Sequence, residues 1–501
     1  MSIIFTLRHK IDVFRMDFQP AIATALLILL TLLFGCTSLV SKGLLPDVVT
    51  RHPPDIQLGA ELILLEEPPE RATSLIDTDG VVHLFSIDKD KRLHHLEILG
   101  DEIITRESVG VIKKLEPWTS LDAVEHPRGK LSVIAGDKQY FRSASDLNWQ
   151  KIEGNRCTRF VPVGDDLFCA FVIRGEEIGA PERTDYTYGL FFLVPFVYWS
   201  HEYASKLVLA QKSEDGWIVR AVVDPDTAMD ANSDFLVGID GLGKIHFLYF
   251  TSKGGGTFIF FAGNYRGGAS GSTPEPVLRY AQLTIDQLLA HSTDNQNKAS
   301  SNNSTPVQWM TIKGVSLTHK PFIKKDSNYN YAYIVLRPIS RNFSINQATG
   351  EVNGLMYAGV CTLDDGERQL PLLGPDQAWV GLSIRDGQWS PPFNIVTVED
   401  FPTSNYSWSK FEKLIKTDSK GNKHVLLKSV EPGFWTARKH MNYMVGDGIN
   451  WSAPLTLGSS NLWSYDSSLA VAESGVAFAV WVNEEGKFIG RWIKPRSADI
   501  Q

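Results

Sequence analysis

The stretch IDTDGVVHLF, from Ile76 to Phe85, carries a spacing that returns far downstream. Asp77 is followed three residues later by Gly80, and Gly80 three later by His83. The same order stands at Asp240, Gly243 and His246, and again at Asp418, Gly421 and His424. Each instance divides two short apolar runs rich in β-branched and aromatic residues. Asp can bond the backbone ahead of it, and Gly takes positive φ without strain, so each instance reads as strand, tight turn, strand. Aligned on this phrase, seven segments emerge, starting at Ser74, Ser120, Phe160, Phe235, Phe322, Leu414 and Leu469. In the others Ser132, Cys169, Ala332 and Phe478 take the histidine place. Histidines at equivalent places in separate units stand too far apart to ligate one metal. The spacing is therefore read as a structural repeat, and neither a metal nor another cofactor is expected.

A second phrase follows several of these hairpins. DGINWSAP (Asp447 to Pro454) and DGQWSPP (Asp386 to Pro392) are nearly the same, with weaker forms ending at Trp149, Trp217 and Trp492. Each is a turn followed by a strand led by Trp, which makes the unit four strands. Helical periodicity after Cys36 is confined to 284–292. Repeated four-stranded units predict an all-β chain folded as a single β-propeller, most simply of seven blades. Six or eight are the alternatives, because insertions blur units three to five. The last unit, 467–494, has only three strands, and the apolar AELILLEE at 60–67 is expected to supply the fourth and hide the open edge.

The DGxxW phrase resembles the Asp-box turn of sialidase-like propellers. That resemblance implies a propeller scaffold and makes a glycoside hydrolase one candidate activity. The chain start resembles a bacterial lipoprotein signal: Arg8, His9, Lys10 and Arg15 precede the apolar run AIATALLILLTLLF, which ends in LFGC at Cys36. The run is short for a membrane span and suits a signal-peptide core. An uncleaved anchor helix is the alternative, and both readings place the rest of the chain outside the cytoplasm beside a membrane. Lipidation is expected on Cys36. Thr37, not Asp, follows it, which favours the outer membrane. The expected layout is a signal at 1–35, a tether at 36–59, the propeller at 60–495 and a tail at 496–501.

Net charge is −8 with the two signs mixed, and no basic stripe invites nucleic acid. Four cysteines, one of them the lipidation candidate, make no disulfide framework. Cys157 and Cys169 lie on the two arms of an apparent hairpin. A turn at Gly164 and Asp165 sets Cys169 opposite Phe160, which leaves Cys157 further along a straight strand and on its other face. These two and Cys361 are therefore expected to be reduced and buried.

In such a blade, the loop after the second strand and the link to the next blade open on one face. The expected insertions, at 174–205, 252–276 and 338–354, all fall there in blades three to five, and loops on a rigid scaffold concentrate binding residues. The candidate binding residues are Trp118, Trp408 and Trp463 in blade links, with Tyr186, Tyr188, Trp199, Arg266 and Arg337 in or beside the insertions. Aromatic faces suit sugar rings or apolar peptides, and packing between blades is the competing role. Catalytic signals are poor: G-x-S-x-G, H-E-x-x-H and C-x-x-C are missing. The leading reading is a lipid-anchored envelope propeller that binds a glycan or protein without chemistry of its own. The alternative is a sialidase-like glycoside hydrolase with a diverged site.

Overall fold

The computed structural model describes residues 50–52, 54–113, 121–143, 148–152, 157–173, 182–186, 196–200, 205–213, 216–224, 227, 235–251, 256–260, 266–269, 277–284, 287, 310–312, 316–317, 322–326, 329–335, 339–361, 378–385, 388–389, 393–396, 413–431, 438–448, 450–460 and 467–496. Seven antiparallel sheets of four-stranded blade form stand in a ring. Their innermost strands, in ring order, are Arg71–Ile76, Leu121–Glu125, Arg159–Val163, Leu236–Ile239, Phe343–Ile345, Lys413–Thr417 and Ser468–Val471. The last of these packs back on the first, so the all-β ring is closed. At that seam Ser468 Oγ accepts the backbone N–H of Ser74 at 2.9 Å and bonds its hydroxyl at 2.8 Å.

The chain's two ends share blade seven. Ile56–Leu65 forms its outermost strand against Phe488–Pro495, as the three-stranded last unit predicts. Just upstream, Thr50–His52 pairs in parallel with Asn450–Ser452 of blade six. Trp217, Trp389 and Trp451 lie in fourth strands and Trp149 immediately before one, as expected. Trp492 lies in a third strand instead, because the fourth strand of its blade comes from the other end of the chain.

Blade five departs from the expected alignment. Its innermost hairpin is Phe343–Ile345 with the start of Val352–Cys361, inside the segment read as an insertion. The hairpin Phe322–Asp326/Tyr329–Val335, read as the repeat unit, instead pairs with the far half of that second strand, Asn330 opposite Cys361 and Ile334 opposite Tyr357. The innermost place demands a fit between blades four and six. Ile345 approaches so closely that a Cβ on Gly238 would lie 2.7 Å from its Cδ1, and Gln347 O accepts the N–H of Gly241 at 2.6 Å. Asn346 plays the turn aspartate there, accepting the N–H groups of Ala348 and Thr349. Its Gly350 stands four residues on, not three, which hid the unit.

Cys157 and Cys169 form a disulfide, against expectation, with their Cα atoms 5.7 Å apart. The expected register is present, Phe160 opposite Cys169. What fails is the straight strand: the strand begins only at Arg159, and Thr158 N–H and Arg159 both address Ala170. Two residues against one make a bulge, which bends the strand and reverses which side the next residue faces. That returns Cys157 to the side of Cys169.

Hydrophobic burial lies between blades. Val82, Leu84, Leu96 and Ile98 of blade one meet Leu64, Phe478, Val480, Val482, Phe488 and Trp492 of blade seven across their seam. Val133, Ala135 and Tyr140 of blade two meet Phe85, Ile87 and Leu93 of blade one. Each such side chain contributes about 1.5–3 kcal/mol only because its neighbour blade covers it. The disulfide is a local staple within blade three, so replacing both Cys157 and Cys169 by Ala should lower unfolding free energy by about 2–3 kcal/mol. Chemical denaturation with and without reductant checks this: reductant should shift the wild type and leave the double variant unchanged.

Candidate binding face and the buried histidine relays

The insertions of blades three and four join. Glu182–Tyr186 and Phe196–Ser200, from blade three, and Gly256–Phe260 and Arg266–Ala269, from blade four, form one antiparallel four-stranded sheet outside the ring. Its centre pairs Phe196 with Phe260 and Ser200 with Gly256. Phe196–Ser200 and Gly256–Phe260 are the two central strands. Both insertions leave the ends of second strands, and the displaced hairpin of blade five extends its sheet at the same end of a second strand. Three neighbouring blades therefore build on one face, blade five by a different device than expected.

Of the candidate residues, Tyr186, Trp199 and Arg266 are brought into this accessory sheet. Trp199 stands opposite Arg183 and Thr257, Arg266 opposite Ile259, and Tyr186 opposite Phe196. Trp118, Tyr188, Arg337, Trp408 and Trp463 lie outside the described residues, as does Cys36.

Sequence reading passed over the charges around the ring axis. Lys416 of blade six lies within the fields of Asp122 of blade two, Arg159 of blade three and Arg341 beside blade five. Lys416 is solvent-exposed; the protein crowded about it lowers its pKa, Asp122 opposes that, and Arg159 and Arg341 add to it. Arg341 also donates to the backbone O of Ser467 in blade seven. Asp122, Arg159 and Lys416 lie in innermost strands and Arg341 in the helical turn just before one.

On the opposite face the recurring Asp-Gly-His spacing becomes a device of two parts. The aspartate's Oδ1 accepts two backbone N–H groups of its turn: Asp79 and Val81 for Asp77, Leu242 and Lys244 for Asp240, Lys420 and Asn422 for Asp418. Gly80, Gly243 and Gly421 hold φ of 82°, 75° and 88°. The aspartate's Oδ2 then meets the histidine Nε2, at 2.9 Å for His83, 3.0 Å for His246 and 3.4 Å for His424. The next residue ties each turn to the following blade: Thr78 N–H to Glu125, Gly241 N–H to Gln347 O, Ser419 hydroxyl to Glu473 O. A further copy, Asp88, Lys91 and His94, closes the second turn of blade one, with Lys91 at φ 64° in the glycine place. Lysine there concealed it from the sequence.

The histidine's other nitrogen distinguishes the blades. His246 Nδ1 lies 2.7 Å from the Tyr280 hydroxyl, and His424 Nδ1 bonds the Tyr443 hydroxyl; with each Nε2–H given to its aspartate, the ring nitrogen is left to accept and the hydroxyl to donate. Burial pushes the His246 imidazole below its usual pKa, with Asp240 acting the other way. Burial also works against ionising Asp240, yet the Lys244 N–H and His246 hold its carboxyl below the usual range. In blade one the partner is a second histidine. His83 Nδ1 lies 3.0 Å from His95 Nε2, and His95 Nδ1 lies 2.7 Å from Glu107 Oε1. Glu97 Oε1 stands 3.8 Å from His83 Nδ1. Arg142 of blade two donates to both Glu97 and Glu107, and Trp149 Nε1 donates to Glu107. Among the described residues, His83, His95 and Glu97 are the group whose donor atoms converge closely enough to hold a metal.

No family model and no curated protein matches the chain. Among solved structures it is similar to an ulvan lyase of a polysaccharide lyase family, at 7% identity, covering 87% of this chain and 96% of that one, with TM-score 0.36. It is similar to the N-terminal domain of Nup159 at 9% identity, covering 90% and 99%, TM-score 0.36. It is also similar to the six-bladed lectin of Aleuria aurantia at 11% identity, covering 78% and 97%, TM-score 0.32. Scores this low say nothing of activity, and the seven-bladed ring stands on its own strand order.

Asp240→Ala should cost about 2–4 kcal/mol at neutral pH, because two turn N–H groups and His246 lose their acceptor. Both groups bind protons more readily in the unfolded chain. Wild-type stability should therefore decline as pH falls below about 6.5, where the unfolded histidine charges, and again below about 4, where the unfolded carboxylate protonates. The Asp240→Ala variant should lack the second decline at this site. Urea unfolding across that range reads both, and a constant gap between the two proteins down to about pH 3 would contradict it.

Proposed function

We propose that the protein is a membrane-tethered binding propeller of the bacterial cell envelope, holding a glycan or an envelope protein on the face built up by blades three to five. One observation carries the reading: loops from two adjacent blades are knitted into a common sheet, where separate surface loops would suffice for a ring alone. A platform built as a sheet orders its backbone before a partner arrives, which reduces the entropy lost on binding. Trp199 and Arg266 both stand in strands of that sheet, and their residue types suit a sugar ring or apolar side chain and a carboxylate or sulfate respectively. The tether rests on the LFGC phrase at Cys36, with acyl chains anchoring the mature first residue in the outer membrane. The binding role requires no catalytic group.

A glycan array run beside a fluorogenic glycoside panel, with the same purified protein, tests the face. Binding without turnover is expected, weakened about tenfold or more by Trp199→Ala or Arg266→Ala. Hydrolysis of any glycoside would instead favour the sialidase-like alternative. The tether is tested separately. Cys36→Ser should abolish incorporation of radiolabelled palmitate and move the protein out of the membrane fraction, and retention of label would refute lipidation at that residue.

A further inference from the structure

The relay of blade one is one proton short. From Asp77 through His83 and His95 to Glu107 there are three close contacts, at 2.9, 3.0 and 2.7 Å. Each needs an N–H between its partners, and two neutral imidazoles bring only two. The end contacts take them, since carboxylates only accept: His83 Nε2–H donates to Asp77 and His95 Nδ1–H to Glu107. His83 Nδ1 and His95 Nε2 then face each other as bare lone pairs. A carboxylic proton does not fill the gap. Glu107 Oε1 already accepts from Arg142 at 2.6 Å and Trp149 at 2.9 Å. Glu97 likewise accepts from the Thr105 hydroxyl and from Arg142. His95 is fully buried and packs against the rings of Phe85 and Trp149. The equivalent relays of blades four and six have no such deficit, because a tyrosine hydroxyl supplies the proton.

We propose that His83 Nδ1, His95 Nε2 and Glu97 Oε1 bind one divalent transition-metal ion, with zinc the natural occupant. Two neutral imidazoles and a carboxylate are borderline-soft donors suited to zinc and its neighbours. Tetrahedral ligation at the usual bond lengths sets donor atoms about 3.3 Å apart. The observed 3.0 Å between the nitrogens and 3.8 Å to Glu97 bracket that value. Each imidazole's far N–H is held by a carboxylate, Asp77 or Glu107, the arrangement that fixes the tautomer and ring orientation of metal-bound histidine. The surrounding net charge of three carboxylates and Arg142 is −2, which a divalent ion neutralises. Arg142 keeps its bond to Glu107 when the ion takes Glu97 Oε1. The ion would join the second and third strands of blade one beside the seam with blade two, with a fourth position left for water.

The full-length chain, purified in detergent and stripped with chelator, is titrated with zinc, and bound metal is measured after dialysis. About one equivalent is expected to remain. His83→Gln and His95→Gln should each abolish it, and Glu97→Gln and Asp77→Asn should weaken it about 10–100-fold. His246→Gln and His424→Gln should leave it intact. Loading the wild type with cobalt should give the visible absorption of a four-coordinate nitrogen and oxygen site, a readout independent of whether any variant folds. No retention by the wild type, or retention indifferent to His83→Gln and His95→Gln, would overturn the proposal and leave a shared proton between the imidazoles.

Discussion

No sheet of this protein can bury both of its faces alone. A four-stranded sheet of about twenty residues leaves most of its apolar surface wet, and conformational entropy then outweighs what it gains. The cores therefore lie between blades, and each blade is stable only as a neighbour. Closure follows from the same constraint, because an open ring would leave two faces and an edge uncovered. Using Ile56–Leu65 from one end of the chain and Phe488–Pro495 from the other in a single blade makes closure and chain collapse one event. Ser74 and Ser468 hold the polar backbone at that seam.

Polar side chains do a different job from the apolar ones. They set where each blade sits relative to the next. The residue after each turn aspartate reaches the following blade, Thr78, Gly241 and Ser419 alike. Trp149 and Trp217 reach back from the fourth-strand region to Glu107 and Gln139 of the preceding blade. Hydrophobic contact is nondirectional and would tolerate sliding. Hydrogen bonds of fixed geometry at both faces do not, since a slip leaves buried donors without acceptors.

How much of this was legible in the sequence depends on how local the determinant is. Turn chemistry is local, so the Asp-x-x-Gly-x-x-His hairpins, the four-strand unit and the strand borrowed from residues upstream of 71 could all be read. Blade five was missed because one extra residue between Asn346 and Gly350 breaks the spacing. The copy at Asp88 was missed because Lys91 adopts the glycine conformation. The disulfide was missed through a bulge at Thr158, a feature that periodicity does not encode. Pairing of the two inserted hairpins was out of reach, as it depends on two blades standing side by side. The placement of Tyr186, Trp199 and Arg266 in one sheet follows from that pairing, and their residue types alone suggested them.

The histidine spacing builds the same turn in each blade that carries it, as a structural repeat should, and the distance argument behind that reading has a limit. Equivalent places in different blades are far apart, which rules out a shared ion among His83, His246 and His424. It says nothing about what each histidine meets within its own blade. The third strand decides that: Tyr280 and Tyr443 complete the relay in blades four and six, while His95 occupies the corresponding role in blade one. Replacing a hydroxyl donor by an imidazole that is already committed to Glu107 removes the proton the relay needs. A repeat that is structural in two blades thus becomes, by one substitution on a neighbouring strand, a set of converging lone pairs and carboxylates. Chemistry in a ring of repeats arises where one unit departs from the pattern the others keep.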